Sequence, residues 1–200
     1  IYLAHSMPHT PLFASPAFKG KSRRGIYGDV VGELDESVGA VLQALRDQGV
    51  AENTLVVYST DHGDMLGSHG QSRKQKPWDE SIRVPLLVSW PGGLGSEGRK
   101  LQRPVNAPDL MPTLLAIAGA QGDPARPFDG KDAWATLAEG KPSPHEDILI
   151  NVEIHRGAIR KGPWKLVKHA TLPGKTELFD LANDPGEKNN LAEQNPQVVK

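Results

Sequence analysis

The sequence predicts an α/β fold: a mixed sheet with helices on both faces, followed by a small antiparallel sheet. Helical and strand patterns alternate over roughly the first 120 residues, which is typical of layered α/β proteins. Beyond residue 145, short strand-like runs follow one another at hairpin spacing, which is typical of an antiparallel sheet. We therefore place a subdomain boundary near residue 145, which divides the chain into residues 1–145 and 146–200.

The first part begins with a strand candidate, a loop and a long helix. Residues 1–4 are apolar and lead into the loop HSMPHTP, where Pro8 and Pro11 block regular structure. Residues 29–48 form the clearest helix, because apolar side chains recur every three or four positions and Gly49 ends the pattern. The chain starts as if already inside a strand, so we expect a truncation point there.

Two buried strands and a second helix are predicted next. The apolar runs at residues 54–59 and 84–89 indicate strands. Residues 109–118 form a helix, with Pro108 near its first turn and Gly119 past its last. The short strands of the second part are predicted at residues 148–154, 157–160, 164–169 and 177–181. The last residues are typical of an early helix, so we expect the C-terminal end to be a truncation point too.

The composition excludes several function classes. The formal net charge is -1 and the charges are interspersed, so no nucleic-acid partner is predicted. The longest apolar runs, such as residues 85–90, are too short to cross a bilayer, so no membrane span is predicted. Cysteine is absent, which rules out disulfides, thiolate metal sites and a cysteine nucleophile within these residues.

Asp61 and His62 are the candidate metal ligands. They follow a predicted strand, and open α/β sheets place ligands beyond the carboxyl ends of their strands. The carboxylate supplies a hard oxygen, whereas a neutral imidazole suits zinc, manganese and iron better than calcium. The alternative is a helix N-cap aspartate beside an exposed histidine.

Cationic and imidazole side chains near the predicted strand ends are typical of anion chemistry. His5 and His9 lie on the proline-flanked loop, where a histidine can protonate a leaving group or hydrogen-bond an anionic substrate. Lys74 and Lys76 lie in a long loop that precedes Arg83, and such cations stabilise a tetrahedral oxyanion. The alternative is that both loops are simply solvated. From the residues alone, the chemistry is metal-assisted transfer or hydrolysis of a sulfuryl or phosphoryl group.

In six segments taken in order, the chain resembles the second half of a sulfatase of the alkaline phosphatase superfamily. The segments are PHTPL at residues 8–12, GDVVGELD at 28–35, NTLVV and STDHG within 53–63, RVPL and WPG within 83–92, PDLMPTLL at 108–115, and ELFDL with DPGEKNNL within 177–191. The resemblance covers nearly the whole chain. It implies an alkaline-phosphatase-like sandwich, incomplete here, in which residues 1–145 are the second half of the catalytic domain.

The resemblance also implies roles for individual residues. Asp61 and His62 would be metal ligands, completed by two aspartates and a nucleophile outside these residues. His9 would contact the sulfate ester and protonate the leaving oxygen, with His5 beside it. Lys74, nine residues before Arg83, falls where the family's sulfate-binding lysine lies, with Lys76 as the alternative. The metal would be calcium, with manganese as the alternative because of His62.

Two departures from the family's pattern keep other functions open. Many members have Asp-Asn where this chain has Asp61-His62, a variant that resembles choline-sulfatase-type enzymes and phosphonate monoester or phosphodiester hydrolases. No Cys/Ser-x-Pro-x-Arg segment occurs in the chain, so the formylglycine nucleophile is missing and these residues alone are expected to be inactive. A fragment that only binds sulfated ligands is the third possibility.

The substrate implied by the resemblance is a small-molecule or carbohydrate sulfate ester. The implied compartment is periplasmic, secreted or lysosomal.

Overall fold

The computed structural model describes residues 1–169 and 174–200, with the backbone alone at residues 151–153. Within these residues the chain divides into two compact units. The first unit contains residues 1–56 and 88–97, and the second contains residues 57–87 and 98–200. No helix in the described ranges is both long and apolar enough to cross a membrane. The boundary near residue 145 stays a prediction, and the first strand beyond it is β3 (Asp147–Glu153).

Helix α1 (Gly25–Asp47) dominates the first unit and confirms the predicted long helix, although it starts earlier than residue 29. Asp29 is buried inside the helix rather than at its start. Its carboxylate accepts backbone N–H groups from Ser22 and Gly20, each at 2.7 Å. These hydrogen bonds hold the pKa of Asp29 below its ordinary value, against the opposing effect of burial. The turn before the helix is therefore tied to its first turns.

The apolar stripe of α1 is only partly covered within this chain. Val30 is buried at 2% exposure, whereas Val31 and Val41 are 41% and 42% exposed. The other predicted apolar positions of the stripe are half-buried: Leu34, Val38, Leu42 and Leu45. The first unit also contains a 3-10 turn at Ala51–Asn53 and the short helix α3 (Pro91–Leu94).

Strands β1 (Val56–Ser59) and β2 (Leu86–Ser89) pair in a two-stranded sheet. Both confirm predicted strands, and each begins two residues later than its apolar run. The strand predicted at residues 1–4 is wrong, because these residues adopt no strand conformation and are exposed. An apolar run becomes a strand only when a neighbour pairs with its backbone groups, and the described residues provide none for this run.

The second unit is built around a four-stranded antiparallel sheet in the order β3-β4-β5-β6. The remaining strands are β4 (Arg156–Lys161), β5 (Trp164–His169) and β6 (Lys175–Asp180). The sheet matches the predicted runs, and β5 matches its run at both ends. A buried cluster lies on one face of the sheet: Met65, Trp78, Ala158, Val167 and Phe179. Because two members come from the loop after β1, the sheet is the support on which that loop packs.

Helix α4 (Leu110–Ile117) confirms the second predicted helix. The fully buried Asp109 precedes it, and its two oxygens accept N–H groups from Asn106 and Lys131 at 2.8 Å each. Nε2 of His145 lies 2.9 Å from both oxygens. This carboxylate therefore joins the start of the helix to two later segments. Further short helices, which the sequence predicted only at the C-terminal end, are α2 (Asp79–Ile82), α5 (Trp134–Glu139) and α6 (Pro196–Val199).

Asp29→Asn is expected to lower the free energy of unfolding near neutral pH and to have little effect in acid. The folded-state pKa of Asp29 is depressed, so the carboxylate's contribution is present above the unfolded pKa, about 4, and is lost as pH falls through the folded pKa. Urea denaturation of both proteins from pH 7 to pH 2 measures this. Asp35→Asn, at an exposed position of the same helix, is the control. A destabilisation that is equal at both ends of the range would contradict the prediction.

Candidate active site

Asp61 and His62 lie directly after β1, side by side. Nε2 of His62 is 3.3 Å from Oδ2 of Asp61, and Nδ1 of His62 is 2.8 Å from the carbonyl oxygen of Gly63. Because a carbonyl oxygen only accepts, Nδ1 donates and the neutral ring carries its lone pair on Nε2. Two lone-pair atoms this close repel each other unless a proton or a cation lies between them.

The geometry of this pair fits a shared divalent cation. Ligand atoms about 2.0 to 2.5 Å from a metal and on neighbouring coordination corners are about 3 Å apart, close to the observed 3.3 Å. The Asp61 side chain is 83% exposed, so the pair is open to further ligands. Asp61 caps none of the helices in the described part of the chain, which argues against the N-cap alternative.

Helix α2 holds the turn that carries these two residues. The Gly63 N–H donates to the carbonyl oxygen of Ser81 at 2.9 Å. A Cβ atom at position 63 would overlap the carbonyl oxygen of Glu80, so only glycine allows this close approach. The turn at residues 61–63, called the metal turn below after its two candidate ligands, is therefore packed directly against the backbone of α2.

The loop at residues 66–77, called the lysine loop below because it carries Lys74 and Lys76, is tightly bent and ends on the same helix. Arg73 and Gln75 have φ values of 68° and 64°, a left-handed conformation that costs non-glycine residues about 1–2 kcal/mol each. Lys74 is exposed between them. Lys76 is half-buried, and its N–H donates to Oγ of Ser81 at 3.2 Å. Ser81 therefore holds both the metal turn, through its carbonyl oxygen, and the lysine loop, through its hydroxyl group.

A buried ion cluster anchors the start of α2. Lys165 of β5 is fully buried, and its Nζ lies 2.8 Å from Oδ1 of Asp79 and 2.6 Å from Oε1 of Glu187. The second oxygen of Glu187 accepts the Asp79 N–H at 2.6 Å. Burial raises the pKa of the Glu187 carboxyl above its ordinary value, and the Lys165 ammonium opposes this shift. These three residues are called the ion triad below.

The sequence reasoning missed the ion triad and Ser81. The one signal for Lys165 was its alternation with Val167 on β5, since both face the buried side of the sheet. Glu187 belongs to the closing DPGEKNNL segment, but its partner could not be read from that segment. Ser81 had no sequence signal.

His69, Glu80 and Glu187 form a second group of metal-ligand type. Their ligand atoms lie within 4.8 Å of one another, and the His69 ring stacks on Trp78 with centroids 5.0 Å apart. One Glu187 oxygen is already 2.6 Å from the Lys165 ammonium, and the other accepts the Asp79 N–H. A cation placed there would meet a positive charge, so the Asp61–His62 pair is the better candidate metal site.

The two candidate histidines of the proline-flanked loop belong to the first compact unit. Both are exposed, and Nδ1 of His9 is 2.6 Å from the carbonyl oxygen of Thr10. The structure therefore brings Asp61, His62 and the backbone of Lys76 together around α2. It leaves Lys74 exposed on the same loop.

The sulfatase family model matches residues 1–120, and the model described as N-sulphoglucosamine sulphohydrolase, C-terminal, matches residues 67–199. Steryl-sulfatase of Mus musculus is 33% identical, and the match covers 96% of this chain and 37% of that protein. The solved structure of Ps i-CgsB in complex with k-i-k-neocarrahexaose is 27% identical with a TM-score of 0.80, and the match covers 96% of this chain and 46% of that one. Phosphonate monoester hydrolase of Agrobacterium radiobacter is 28% identical with a TM-score of 0.72, over 88% of this chain and 38% of that one.

These structural matches confirm the predicted α/β sandwich class of the fold. The chain spans less than half the length of each of these proteins.

Asp61→Asn and His62→Leu are each expected to weaken binding of a divalent cation at least about tenfold, because the first removes the negative charge of the pair and the second removes its imidazole ligand. Titration calorimetry of the intact protein with Mn2+ and with Ca2+ measures the affinity. Asp64→Asn, which removes an exposed carboxylate from the same segment, is the charge-matched control. Unchanged affinity in both ligand variants would contradict the assignment.

Proposed function

The chain belongs to the sulfatase family, and we propose that the intact protein hydrolyses a sulfate monoester to an alcohol and sulfate, with a divalent cation held by Asp61 and His62. The observation that carries the proposal is the 3.3 Å separation of the two ligand atoms, in a turn fixed against α2. The proposal concerns the intact protein, because the chain corresponds to 37% of the steryl-sulfatase that it matches. Residues 1–145 form the second half of the catalytic domain in this proposal, and residues 146–200 form the small subdomain.

The chain's own residues bind and orient the sulfate group. A bound cation supplies positive charge that offsets the negative charge of the sulfuryl oxygens. Lys74 is exposed on a tightly bent loop, so its ammonium group can contact those oxygens directly. Lys76 is the alternative for this role, since its backbone is fixed to Ser81.

His9 has a defined proton arrangement for its proposed role. Nδ1 of His9 donates to the carbonyl oxygen of Thr10, which leaves Nε2 for the substrate. Donation of a proton to the leaving oxygen therefore requires the imidazolium form, and neutral Nε2 can only accept. His5, on the same loop, contributes to substrate binding in this proposal.

Calcium is the metal proposed first, because it is typical of the family, and manganese is the alternative because His62 supplies an imidazole nitrogen. The nucleophile comes from a part of the protein outside these 200 residues, which contain no Cys/Ser-x-Pro-x-Arg segment. The resemblance to the family supports placement of the intact protein in a periplasmic, secreted or lysosomal compartment.

The substrate is a small-molecule or carbohydrate sulfate ester. Support for a carbohydrate comes from the N-sulphoglucosamine sulphohydrolase model over residues 67–199 and from the similar structure solved with k-i-k-neocarrahexaose. Support for a small molecule comes from the similarity to a steryl-sulfatase. Turnover of an aryl sulfate, a steryl sulfate and a sulfated oligosaccharide by the intact protein discriminates between them.

A phosphonate monoester hydrolase is the second candidate function. Its support is the 28% identity to such an enzyme and the histidine in the metal turn. The ratio of kcat/KM for p-nitrophenyl sulfate to that for p-nitrophenyl phenylphosphonate decides between the two. Binding of a sulfated ligand without turnover of either ester would overturn both and leave a binding protein.

Lys74→Met is expected to lower kcat/KM for an aryl sulfate by about 100-fold to 1,000-fold, because it removes a cation that contacts the oxyanion in the transition state. The affinity for the divalent cation should stay unchanged. Lys100→Met, at another exposed position, is the matched control. A larger loss in Lys76→Met than in Lys74→Met would transfer the role to Lys76.

A further inference from the structure

We infer that the ion triad of Asp79, Lys165 and Glu187 is a positioning device that fixes the metal turn and the lysine loop through α2. None of the three contacts the candidate ligand atoms, so they are positioning residues and not catalytic ones. The inference rests on the proposed function for its catalytic consequence, but the geometric link can be measured without turnover.

The first step is that α2 needs external support. It has four residues (Asp79–Ile82), and an isolated helix of that length is not stable, since helix nucleation is unfavourable. Its first N–H donates to Glu187 and the side chain of its first residue bonds to Lys165. The ion triad therefore sets the position and direction of α2.

The second step is that α2 passes this position on to the site. The carbonyl oxygen of Ser81 accepts the Gly63 N–H, and its hydroxyl group accepts the Lys76 N–H. A Cβ atom added at residue 63 would overlap the carbonyl oxygen of Glu80. A shift of α2 would therefore move both the turn beside His62 and the end of the lysine loop.

The third step is that stability alone does not account for the triad. Replacement of buried ion pairs by apolar residues of similar size is often neutral or stabilising, because the desolvation of charges is costly. Charged and hydrogen-bonding groups differ from apolar residues in fixing direction: the Lys165 ammonium donates a hydrogen bond to Asp79 and forms an ion pair with one oxygen of Glu187, whose other oxygen accepts the Asp79 N–H. Orientation of α2 is what these bonds supply and apolar packing would not.

The test uses the intact protein with the double substitution Lys165→Met/Glu187→Leu. It removes one positive and one negative charge, so the net charge is unchanged, and Arg83 remains 3.8 Å from Asp79. We expect the unfolding transition to be retained. Amide hydrogen exchange at Gly63 and Lys76 should accelerate at least about tenfold, and the dissociation constant for Mn2+ or Ca2+ should rise about tenfold, as for other residues that orient metal ligands.

The matched control is Lys168→Met, the same substitution at an exposed position of the same strand, which should change neither measurement. With an aryl sulfate as substrate, the double variant should lower kcat by a larger factor than it raises KM. A folded double variant with normal exchange at Gly63 and Lys76 and a normal cation affinity would overturn the inference.

A single substitution tests the same inference if the double variant does not fold. Glu187→Gln keeps the side-chain volume but weakens the bonds to Lys165 and to the Asp79 N–H, so it should accelerate exchange at Gly63 and Lys76 in the same direction. Unchanged exchange in that variant would overturn the inference. The proposed function fails separately: Asp61→Asn would then leave cation affinity unchanged, whatever the triad variants do.

Discussion

The ammonium group of Lys165, enclosed between two carboxylates, is the interaction on which the candidate site depends. Transfer of a charged amine out of water costs several kcal/mol. This cost is offset only when both Asp79 and Glu187 are in place. The contact therefore joins β5, α2 and the closing segment at one point. A loop that carries polar functional groups, and little apolar surface of its own, gains a fixed position from it.

The apolar packing around the ion triad explains why a few polar contacts are sufficient to fix the lysine loop. Met65 and Trp78, near the two ends of the lysine loop, are buried against the sheet together with Val167 and Phe179. Their burial excludes water from the neighbourhood of the triad and strengthens its electrostatic interactions. Between these two apolar contacts the loop bends through left-handed residues such as Arg73 and Gln75. Anchored ends and a strained middle are consistent with a loop whose conformation serves binding.

The sequence predicted the elements whose signals are local. The spacing of apolar residues located α1, and the position of Asp61 and His62 after an apolar run located the candidate metal turn, because strand ends are where sheets present ligands. The order of the six motifs predicted the family and its fold class, and the comparisons bear out both. The starts of β1, β2 and β6 were misplaced by two residues, since pairing partners and not propensity decide where a strand begins.

What the sequence could not predict depends on contacts between distant residues. A lysine in a strand is ordinarily exposed, so the burial of Lys165 required knowledge of Asp79 and Glu187. The helix predicted from residue 29 begins at Gly25, and the Asp29 carboxylate binds the turn that precedes it. The strand predicted at residues 1–4 failed for a related reason, because an apolar run contains no information about its neighbour.

The distance along the chain between the partners of the triad has a consequence for biosynthesis. The Asp79 N–H and its acceptor on Glu187 are separated by 108 positions. A ribosome completes the metal turn and the lysine loop long before it adds the residues that hold them. During translation these segments are therefore connected to a helix without an anchor, and the loop becomes ordered only when the closing segment folds back onto the sheet. A nascent chain that is released before Glu187 would contain both candidate metal ligands and still lack the segment that fixes their position.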